Sequence, residues 1–329
     1  MRRILVQGFG EVDMERILVT GGAGFIGSHL VDRLVEDYDV IVLDDLSGGD
    51  ISFIEHHKGK DNFAFHKGSI LLEEDVKRAI KDVDTVFHFA AQPDVRLSVS
   101  DPMRDFEVNM IGGMTLLESL RKYDITRIVF ASSGGTVYGD PEVIPTPEKI
   151  QLAPISNYGA AKCAFEMYLS SYCELYDFSA VSMRLGNIIG PRLTHGVIFD
   201  FFMKLKKDPT KLEILGTGSQ EKTYLYVSDT VDAALLLESN MKKGHLPINV
   251  SSSDRLTVTR IAEIFTNSLG LNEVEFTYTG SERGWAGDVV ITGLDISLLK
   301  SFGWSQRVKL EAGIYNYIAW LVEKYGAPK

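Results

Sequence analysis

Cysteine is scarce in this chain of 329 residues, which contains only Cys163 and Cys173. They lie ten residues apart in a segment of helical pattern, so the sequence offers neither a disulfide framework nor a CxxC metal knuckle. Buried, reduced thiols are the simpler interpretation. His56 and His57 stand in a polar stretch and the other histidines show no ligand spacing, so we expect solvated loop histidines and no metal.

Long apolar runs are also missing. No run reaches the roughly 18 residues that a membrane-spanning helix needs. The first residues lack the apolar core and the small-residue cleavage site of a signal peptide. We therefore expect a cytoplasmic protein with no membrane partner.

Positive charge is in the minority. The 34 Lys and Arg residues face 45 Asp and Glu residues, which gives a formal net charge of −11. Nucleic acid binding requires clustered Lys and Arg, and no such cluster is present. We therefore expect no nucleic acid partner. A hydrophobic content of 45% is sufficient for one large or two coupled domains.

From Arg16 onward, short β-branched runs alternate with amphipathic segments. Strands are predicted at residues 17–20, 40–43, 63–66, 85–89, 127–132 and 180–184, and helices at 26–36, 73–80, 103–121 and 157–176. This alternation is typical of α/β proteins and predicts a doubly wound parallel Rossmann sheet.

The predicted domains are a Rossmann domain at residues 14–184 and a smaller, mixed C-terminal substrate-binding domain at 185–329. Gly and Pro turns break the rhythm after Arg184, while helical periodicity returns at 256–269 and 310–325. For residues at about 225–250, a return to the Rossmann domain is the alternative to membership of the C-terminal domain. Residues 1–13 are predicted to be an extension before Met14, with an extra edge strand as the alternative.

Three glycines follow the first strand of this domain. Gly21, Gly24 and Gly27 have GxxGxxG spacing, which permits a tight turn and close approach of a pyrophosphate to a helix N-terminus. The second strand ends at Asp44 and Asp45, where a carboxylate can bind an adenosine ribose and repel a 2′-phosphate. We therefore predict NAD rather than NADP, against the alternative of solvated strand-end carboxylates.

Tyr158 and Lys162 lie one turn apart on the same face of a predicted helix. A free phenol has a pKa near 10 and is a poor base at neutral pH. We expect Lys162, together with the positive nicotinamide, to lower the pKa of Tyr158. A YxxxK pattern arises easily by chance, but behind a glycine turn it indicates dehydrogenase chemistry.

Five motifs in order resemble the extended short-chain dehydrogenases/reductases that act on nucleotide sugars, most closely the UDP-glucose 4-epimerases and their archaeal-type relatives. The resemblance covers residues 15–325. The motifs are TGGAGFIGSH at 20–29, HFAA at 88–91, SSGGTVYG at 132–139, YGAAK at 158–162 and RLGNIIGP at 184–191. The resemblance implies a UDP-sugar substrate and a homodimer that shares the helices at 103–121 and 157–176.

The resemblance also implies the cofactor contacts. Asp44 and Asp45 would hold the adenosine, and Asn109 would orient the active-site helix. Relatives usually carry Asp where this chain has Ser69. The full predicted cofactor set is Gly21, Gly24, Phe25, Ile26, Gly27, Asp44, Asp45, Ser69, Ile70, Phe89, Ala90, Ala91, Asn109, Tyr158 and Lys162.

For the substrate, the resemblance places Asn187 on the diphosphate, His195 and Val197 near the nucleobase, and Arg283 on the ribose or phosphate. Lys222 stands where relatives more often have Arg, so it keeps the charge without the bidentate geometry. Thr292 falls where a bulky residue narrows the sugar pocket, and a small side chain there would admit an N-acetyl group.

The loop before Val137 decides between reactions. Relatives that dehydrate or decarboxylate carry an acidic residue there, whereas this chain has Gly134, Gly135 and Thr136. The sequence therefore favours C4 epimerisation of a UDP-hexose through a transient 4-keto sugar. A dehydratase or decarboxylase and a non-catalytic NAD-binding regulator remain the alternatives.

The usual catalytic hydroxyl of the family falls on Gly134, so Tyr158 is expected to lack it. Ser133, Ser132 or a water would replace that hydroxyl, and we prefer Ser133 as the third catalytic residue beside Tyr158 and Lys162.

Overall fold

The computed structural model describes residues 3–6, 9–280, 289 and 293–328, with the backbone alone before Met14. The strands are β1 (Arg3–Val6), β2 (Phe9–Asp13), β3 (Arg16–Thr20), β4 (Asp39–Asp44), β5 (Phe63–Lys67), β6 (Thr85–His88), β7 (Arg127–Ser133), β8 (Ser179–Leu185), β9 (Asn187–Ile189), β10 (Lys211–Ile214), β11 (Glu221–Tyr226), β12 (Gly244–Val250), β13 (Arg255–Thr257) and β14 (Glu275–Tyr278).

The α-helices are α1 (Phe25–Leu34), α2 (Glu73–Ala79), α3 (Val95–Ser100), α4 (Pro102–Phe106), α5 (Gly113–Lys122), α6 (Asn157–Tyr176), α7 (Val197–Lys207), α8 (Val227–Ser239), α9 (Val258–Ser268), α10 (Ser297–Ser301) and α11 (Leu310–Tyr325). A π-helix at Glu107–Gly112 joins α4 to α5. None of the helices in the described part of the chain combines the length and apolarity that crossing a bilayer would require.

A seven-stranded sheet has the order β12-β8-β7-β6-β3-β4-β5, and each neighbouring pair is parallel. The central strands are almost fully buried, because helices cover both faces of the sheet. The strand order reverses between β3 and β6, which creates a crevice at the carboxyl ends of the strands. This topology confirms the predicted doubly wound parallel sheet.

Two apolar cores lie on opposite faces of the sheet. Leu30 and Leu237, from α1 and α8, pack into one core. Leu117 and Phe165, from α5 and α6, pack into the other. The helix bearing Tyr158 is thereby fixed against the sheet on one face, while the glycine turn leads into α1 on the other.

The prediction of one continuous α-helix at 103–121 is wrong. The π-helix interrupts it, and the buried side chain of Asn109 donates to Asp105 Oδ1 at 2.9 Å and to Gln92 O at 3.2 Å. Such insertions are frequent at functional sites. At Gly112 an added Cβ would lie 2.7 Å from the Ile70 side chain, so this turn requires close packing.

The remaining strands form small sheets. In one, β11 pairs parallel with β9 and antiparallel with β13. In the other, β10 pairs parallel with β14. Helices α7, α9 and α11 enclose a third core that contains Phe202, Phe265 and Tyr317. The chain then returns to the large sheet, because β12 pairs parallel with β8.

The first strands are separate from this architecture. β1 and β2 form an antiparallel hairpin outside the seven-stranded sheet. The described backbone therefore does not place β1 or β2 as an additional edge strand of the large sheet.

Candidate active site

A cavity of about 540 Å³ lies at the carboxyl ends of the central strands. Gly21, Asp45, Ala91 and Ser133, which end or follow four strands of the large sheet, line one side. Asn187 and the first residues of α7 line the other side. The cavity thus opens onto both parts of the chain, at the position where such sheets bind ligands.

The glycine turn shapes the floor of the cavity. Gly21 has a φ of +72°, and a Cβ there would lie 2.5 Å from Ala90 N. Gly24 caps α1 without a side-chain hydrogen bond, so the first N–H groups of the helix remain available to an anion. The turn, its φ value and the open helix N-terminus fit a dinucleotide pyrophosphate.

The two acidic residues after β4 line the same cavity. Asp44 is buried; its Oδ2 accepts from Ala23 N at 2.9 Å and its Oδ1 accepts from Leu46 N at 2.8 Å. Burial raises the pKa of Asp44. Asp45 is exposed and accepts from Ser47 N. Asp44 therefore also fixes the glycine turn to the end of β4, while Asp45 remains accessible to a ribose.

The other predicted cofactor residues divide into two groups. Phe25, Ile26, Gly27, Ser69, Ile70, Phe89, Ala90 and Ala91 all line the cavity. Asn109 is absent from the cavity wall; its Oδ1 accepts from Gln92 N at 3.1 Å. It therefore supports the segment after Ala91 from behind, and the prediction of a direct cofactor contact at Asn109 does not match the geometry.

Tyr158 and Lys162 lie on the first turns of α6, which begins where the Ser156 hydroxyl accepts from Gly159 N at 3.1 Å. Both side chains line the cavity. Lys162 Nζ lies 5.5 Å from the Tyr158 ring centroid and donates to Ala131 O at 2.9 Å. The ammonium group is therefore held against the phenol ring by the end of β7.

Burial governs the protonation of this pair. It raises the pKa of Tyr158 above its ordinary value, the Asp105 carboxylate raises it further, and a hydrogen bond with Ser133 opposes both effects. Burial lowers the pKa of Lys162 to about 8, against the opposing charges of Asp105 and Glu166. In the protein alone the pKa of Tyr158 is therefore raised, because desolvation and the Asp105 charge outweigh the Ser133 hydrogen bond. The lowering expected from Lys162 together with the nicotinamide stays a prediction.

The serines of the catalytic loop have different partners. The Ser133 side chain hydrogen-bonds Tyr158, whereas the buried Ser132 hydroxyl donates to Glu166. Ser133 therefore acts on Tyr158 from the position where the sequence analysis placed the replacement for the hydroxyl missing at Gly134.

Gly134 itself faces away from the cavity. A Cβ there would meet Leu294 and lie 2.8 Å from Arg184 O, whereas a Cβ at Gly135 would meet open space. Gly135 and Thr136 line the cavity and Gly134 does not. A hydroxyl at position 134 would consequently point into the protein.

The predicted substrate residues meet at the far side of the cavity. Asn187, His195, Val197 and Lys222 line it. The Asn187 side chain is oriented by donating to Thr223 O at 3.0 Å. Arg283 and Thr292 lie outside the described residues, so their assigned roles stay predictions.

Two residues of interest were not found from the sequence. Asp105 is 1% exposed and lies close enough to Tyr158 and Lys162 to affect the pKa of both. Arg192 lines the cavity directly after the last of the five motifs. The Gly190-Pro191 pair before it indicated a loop in the sequence, but nothing marked Arg192 as a residue of the cavity wall.

One of the two histidines of the polar loop differs from expectation, since His56 is exposed but His57 is not. His57 is buried with a side-chain exposure of 5%, and Asp32, His56 and His57 bring their ligand atoms within 4.8 Å of one another. Arg192 already binds Asp32 at 2.8 Å. His57 Nδ1 is buried without a hydrogen-bond partner among the described residues. If His57 Nε2 bound a metal, Nδ1 would carry the ring proton and would need a hydrogen-bond acceptor. Asp32, His56 and His57 therefore fit a cluster of ion pairs and hydrogen bonds better than a metal site.

A dinucleotide turn that faces a Tyr, a Lys and a Ser across one cavity defines a nicotinamide-dependent enzyme. The chain belongs to the NAD dependent epimerase/dehydratase family, whose model matches residues 17–251. It is therefore an enzyme that uses NAD. The bound cofactor supplies hydride transfer, and the residues that line the glycine-turn half of the cavity fit it.

Several relatives cover nearly the whole chain. A putative UDP-glucose 4-epimerase of Methanocaldococcus jannaschii is 37% identical over 310 residues, 93% of this chain and 98% of that protein. The UDP-glucose 4-epimerase of Thermotoga maritima, solved with UDP-glucose, is 36% identical with a TM-score of 0.85, over 94% of this chain and 99% of that one.

Other similar proteins extend this picture. The UDP-glucose 4-epimerase of Thermus thermophilus, solved with NAD, is 34% identical with a TM-score of 0.83, over 93% of this chain and 98% of that one. A dTDP-D-glucose 4,6-dehydratase of Mus musculus is 30% identical over 318 residues, 93% of this chain and 88% of that protein.

Proposed function

We propose that this protein catalyses the NAD-dependent C4 epimerisation of a UDP-hexose, interconverting UDP-glucose and UDP-galactose. The observation that carries the proposal is the convergence of Tyr158, Lys162 and Ser133 on a cavity whose catalytic loop, at 134–136, presents no carboxylate. The names of the similar proteins support the same substrate class.

In the proposed mechanism, Tyr158 removes the proton of the 4-hydroxyl and later returns it. The Ser133 hydroxyl, hydrogen-bonded to Tyr158, orients the 4-oxygen and relays the proton. Lys162 stabilises the phenolate by its charge, and Ala131 O holds it in place. NAD+, held by the residues of the glycine-turn half of the cavity, would supply reversible hydride transfer at C4 and a positive charge near the phenol. Inversion at C4 would require the transient 4-keto sugar to present its opposite face before Tyr158 returns the proton.

The substrate is bound through its nucleotide. Asn187 and Lys222, on neighbouring strands, line the cavity where a diphosphate would lie, and His195 and Val197 line the region for the nucleobase. Arg283 is proposed for the ribose or phosphate, and Thr292 for the width of the sugar pocket. N-acetylated UDP-hexoses are proposed as further substrates on the small size of Thr292.

The alternatives make different products. A dehydratase needs an acid to expel water, and Gly134, Gly135 and Thr136 provide none. A non-catalytic NAD-binding regulator would not require Tyr158, Lys162 and Ser133 to meet at one cavity. Epimerisation therefore accounts for more of the site than either alternative.

The test is to incubate the purified protein with UDP-glucose, without added reductant, and to follow the sugar by NMR. UDP-galactose should appear, and Tyr158→Phe should lower kcat by about 100-fold or more. The control is Tyr168→Phe, an exposed tyrosine on the same helix, which should retain activity. Accumulation of a 4-keto-6-deoxy sugar would show a dehydratase, and the absence of any product would favour the regulator. Full turnover by Tyr158→Phe would refute the catalytic role of Tyr158.

We also propose a homodimer that shares α4, α5 and α6. These helices and the π-helix between them expose Met103, Phe106, Ile111, Met167 and Leu175, with 46–66% of each side chain accessible. Apolar surface of this extent is unfavourable in water and is typical of an interface. Sedimentation analysis should give a dimer, and Met167→Glu should yield monomers. The two free cysteines agree with a cytoplasmic location, which we propose as well.

A further inference from the structure

Helix α3 follows the cavity wall after β6 and is too short to hold its own position. It has six residues, and Asp94, Val95 and Arg96 at its beginning line the cavity. The Asp94 side chain caps the helix by accepting from Arg96 N at 2.8 Å. A helix of this length is marginal by itself, so contacts with neighbouring segments have to fix it.

Gln92 fixes the beginning of α3. Its Oε1 accepts from Asp94 N at 2.7 Å, and its Nε2 donates to Asp94 O at 2.9 Å and to Asp105 Oδ1 at 3.0 Å. The backbone N–H of Gln92 is bound in turn by Asn109 in the π-helix. Gln92 and Asn109 are both buried. The beginning of α3 is therefore attached to the π-helix through a buried polar network.

Ser98 attaches the other end of α3 to α6. Its Oγ accepts from Tyr158 N at 3.2 Å and donates to Val95 O at 2.7 Å. Its backbone oxygen accepts from Asn157 Nδ2 at 2.8 Å. A serine hydroxyl carries one proton and two lone pairs, so both of its bonds form at the same time. Ser98 is fully buried, which keeps water from competing for these bonds.

The backbone N–H of Tyr158 requires an acceptor from outside its helix. Tyr158 is the second residue of α6, and the first N–H groups of a helix have no acceptor within the helix. The Ser156 side chain accepts from Gly159 N, one residue further along. Ser98 thus acts as a second cap of α6, supplied by another helix, at the residue that bears the phenol.

We propose that Ser98 is a positioning residue for Tyr158, which holds the backbone from which the phenol reaches Ser133 and the 4-oxygen of the sugar. The proposal rests on the proposed function, in which Tyr158 is the catalytic base. Ser98 itself does not belong to the cavity wall, so it acts on the reaction through Tyr158. A displacement of about 1 Å at a reacting group can lower a rate by about 100-fold.

The test compares Ser98→Ala with wild type in the full-length protein with NAD+ bound. The kcat for UDP-glucose should fall by about 10- to 100-fold. The KM for UDP-glucose and the affinity for NAD+ should stay unchanged, because Ser98 contacts neither ligand. In the Tyr158→Phe background, Ser98→Ala should lower the residual kcat no further, because the hydroxyl that Ser98 positions is already gone.

The matched control is Ser100→Ala. Ser100 is an exposed serine on the same helix, and its Oγ donates to Leu97 O at 3.2 Å, as Ser98 Oγ does to Val95 O. This variant should leave kcat and KM unchanged. An unchanged kcat in Ser98→Ala would overturn the proposal. So would a further loss in the Tyr158→Phe background, or a loss of NAD+ affinity as large as the loss of kcat.

Amide hydrogen exchange separates this proposal from the proposed function, because it requires no substrate. In protein isotope-labelled at tyrosine, NMR should show faster exchange of the Tyr158 N–H in Ser98→Ala than in wild type or Ser100→Ala. Unchanged exchange would overturn the role of Ser98, whereas a wild type that leaves UDP-glucose unconverted would refute the proposed function alone.

A second variant covers the case in which Ser98→Ala does not fold, as judged by its thermal transition. Asn157→Ala removes the exposed side chain that donates to Ser98 O and leaves the buried hydroxyl in place. It should lower kcat with KM unchanged, by less than Ser98→Ala would, because the Tyr158 N–H keeps its acceptor. An unchanged kcat in Asn157→Ala would then overturn the proposal.

Discussion

The Arg184 guanidinium and the Glu166 carboxylate form an ion pair at 2.7 Å, with side chains 4% and 0% exposed. Ser132 donates to the same carboxylate. Arg184 Nη1 donates to the Tyr138 hydroxyl at 2.9 Å. The pair therefore ties α6, which bears Tyr158, to β8 and to both ends of the catalytic loop.

Loss of this pair should destabilise the fold. Glu166→Gln leaves the Arg184 charge buried without its counter-charge, so the free energy of unfolding should fall by about 3 kcal/mol. Urea unfolding measures it. Glu263→Gln is the control, because Glu263 forms an exposed pair with Arg260 at 3.0 Å and should cost less than about 1 kcal/mol. Equal losses in the two variants would mean that burial of the ion pair contributes nothing.

The neighbouring serines should separate activity from stability. Ser133→Ala removes the hydroxyl that binds Tyr158 and should lower kcat by about 100-fold, with little change in thermal unfolding. Ser132→Ala removes a buried partner of Glu166 and should cost about 1–3 kcal/mol of stability. The reverse pattern, with Ser132→Ala inactive but stable, would assign the catalytic hydroxyl to Ser132.

Asp105 should set the pH range of activity. Its buried carboxylate disfavours the Tyr158 phenolate and favours the Lys162 ammonium, so it raises the pKa of both groups. Of the other charges near this pair, Glu166 acts on Lys162 in the same direction. Asp105→Asn should lower both pKa values and shift the pH profile of kcat to more acidic pH.

Profiles recorded across the neutral and alkaline range measure this shift. Glu107→Gln, an exposed acid two residues along the chain, should leave the profile in place. A shift to more alkaline pH in Asp105→Asn would refute the electrostatic role of Asp105.

Thr292 should determine whether the sugar pocket admits an N-acetyl group. If a small residue admits N-acetyl groups, Thr292→Tyr should lower kcat/KM for UDP-N-acetylglucosamine much more than for UDP-glucose. A change of one methylene group in the fit between pocket and substrate already alters the selectivity between two substrates by about 10-fold or more. Competition assays with the two sugars measure the ratio directly. An unchanged ratio would show that another residue controls the pocket.

Local patterns predicted most of the large sheet. The strand predicted at 127–132 is observed at Arg127–Ser133, and the helix at 157–176 is observed at Asn157–Tyr176, because β-branched runs and helical periodicity are local signals. The π-helix was missed because it depends on Asn109 reaching Gln92 in another segment.

The site was less predictable where burial decides the chemistry. The glycine turn, Asp45, Tyr158 and Lys162 all line the cavity, and a motif identifies each. The raised pKa of Tyr158 depends on desolvation and on Asp105, which no motif marks. The ion pair of Arg192 was overlooked for the same reason, because its partner Asp32 lies far away in the sequence.

The return of β12 to the large sheet affects how the chain assembles. Until β12 is synthesised, β8 has an unpaired edge with open backbone N–H and C=O groups. The segment between β8 and β12 contains Asn187 and Lys222, which line the substrate side of the cavity. The seven-stranded sheet is therefore completed only after that part of the cavity wall has been synthesised. A chain cut at residue 184 would keep β8 as an unpaired edge strand that is prone to aggregation.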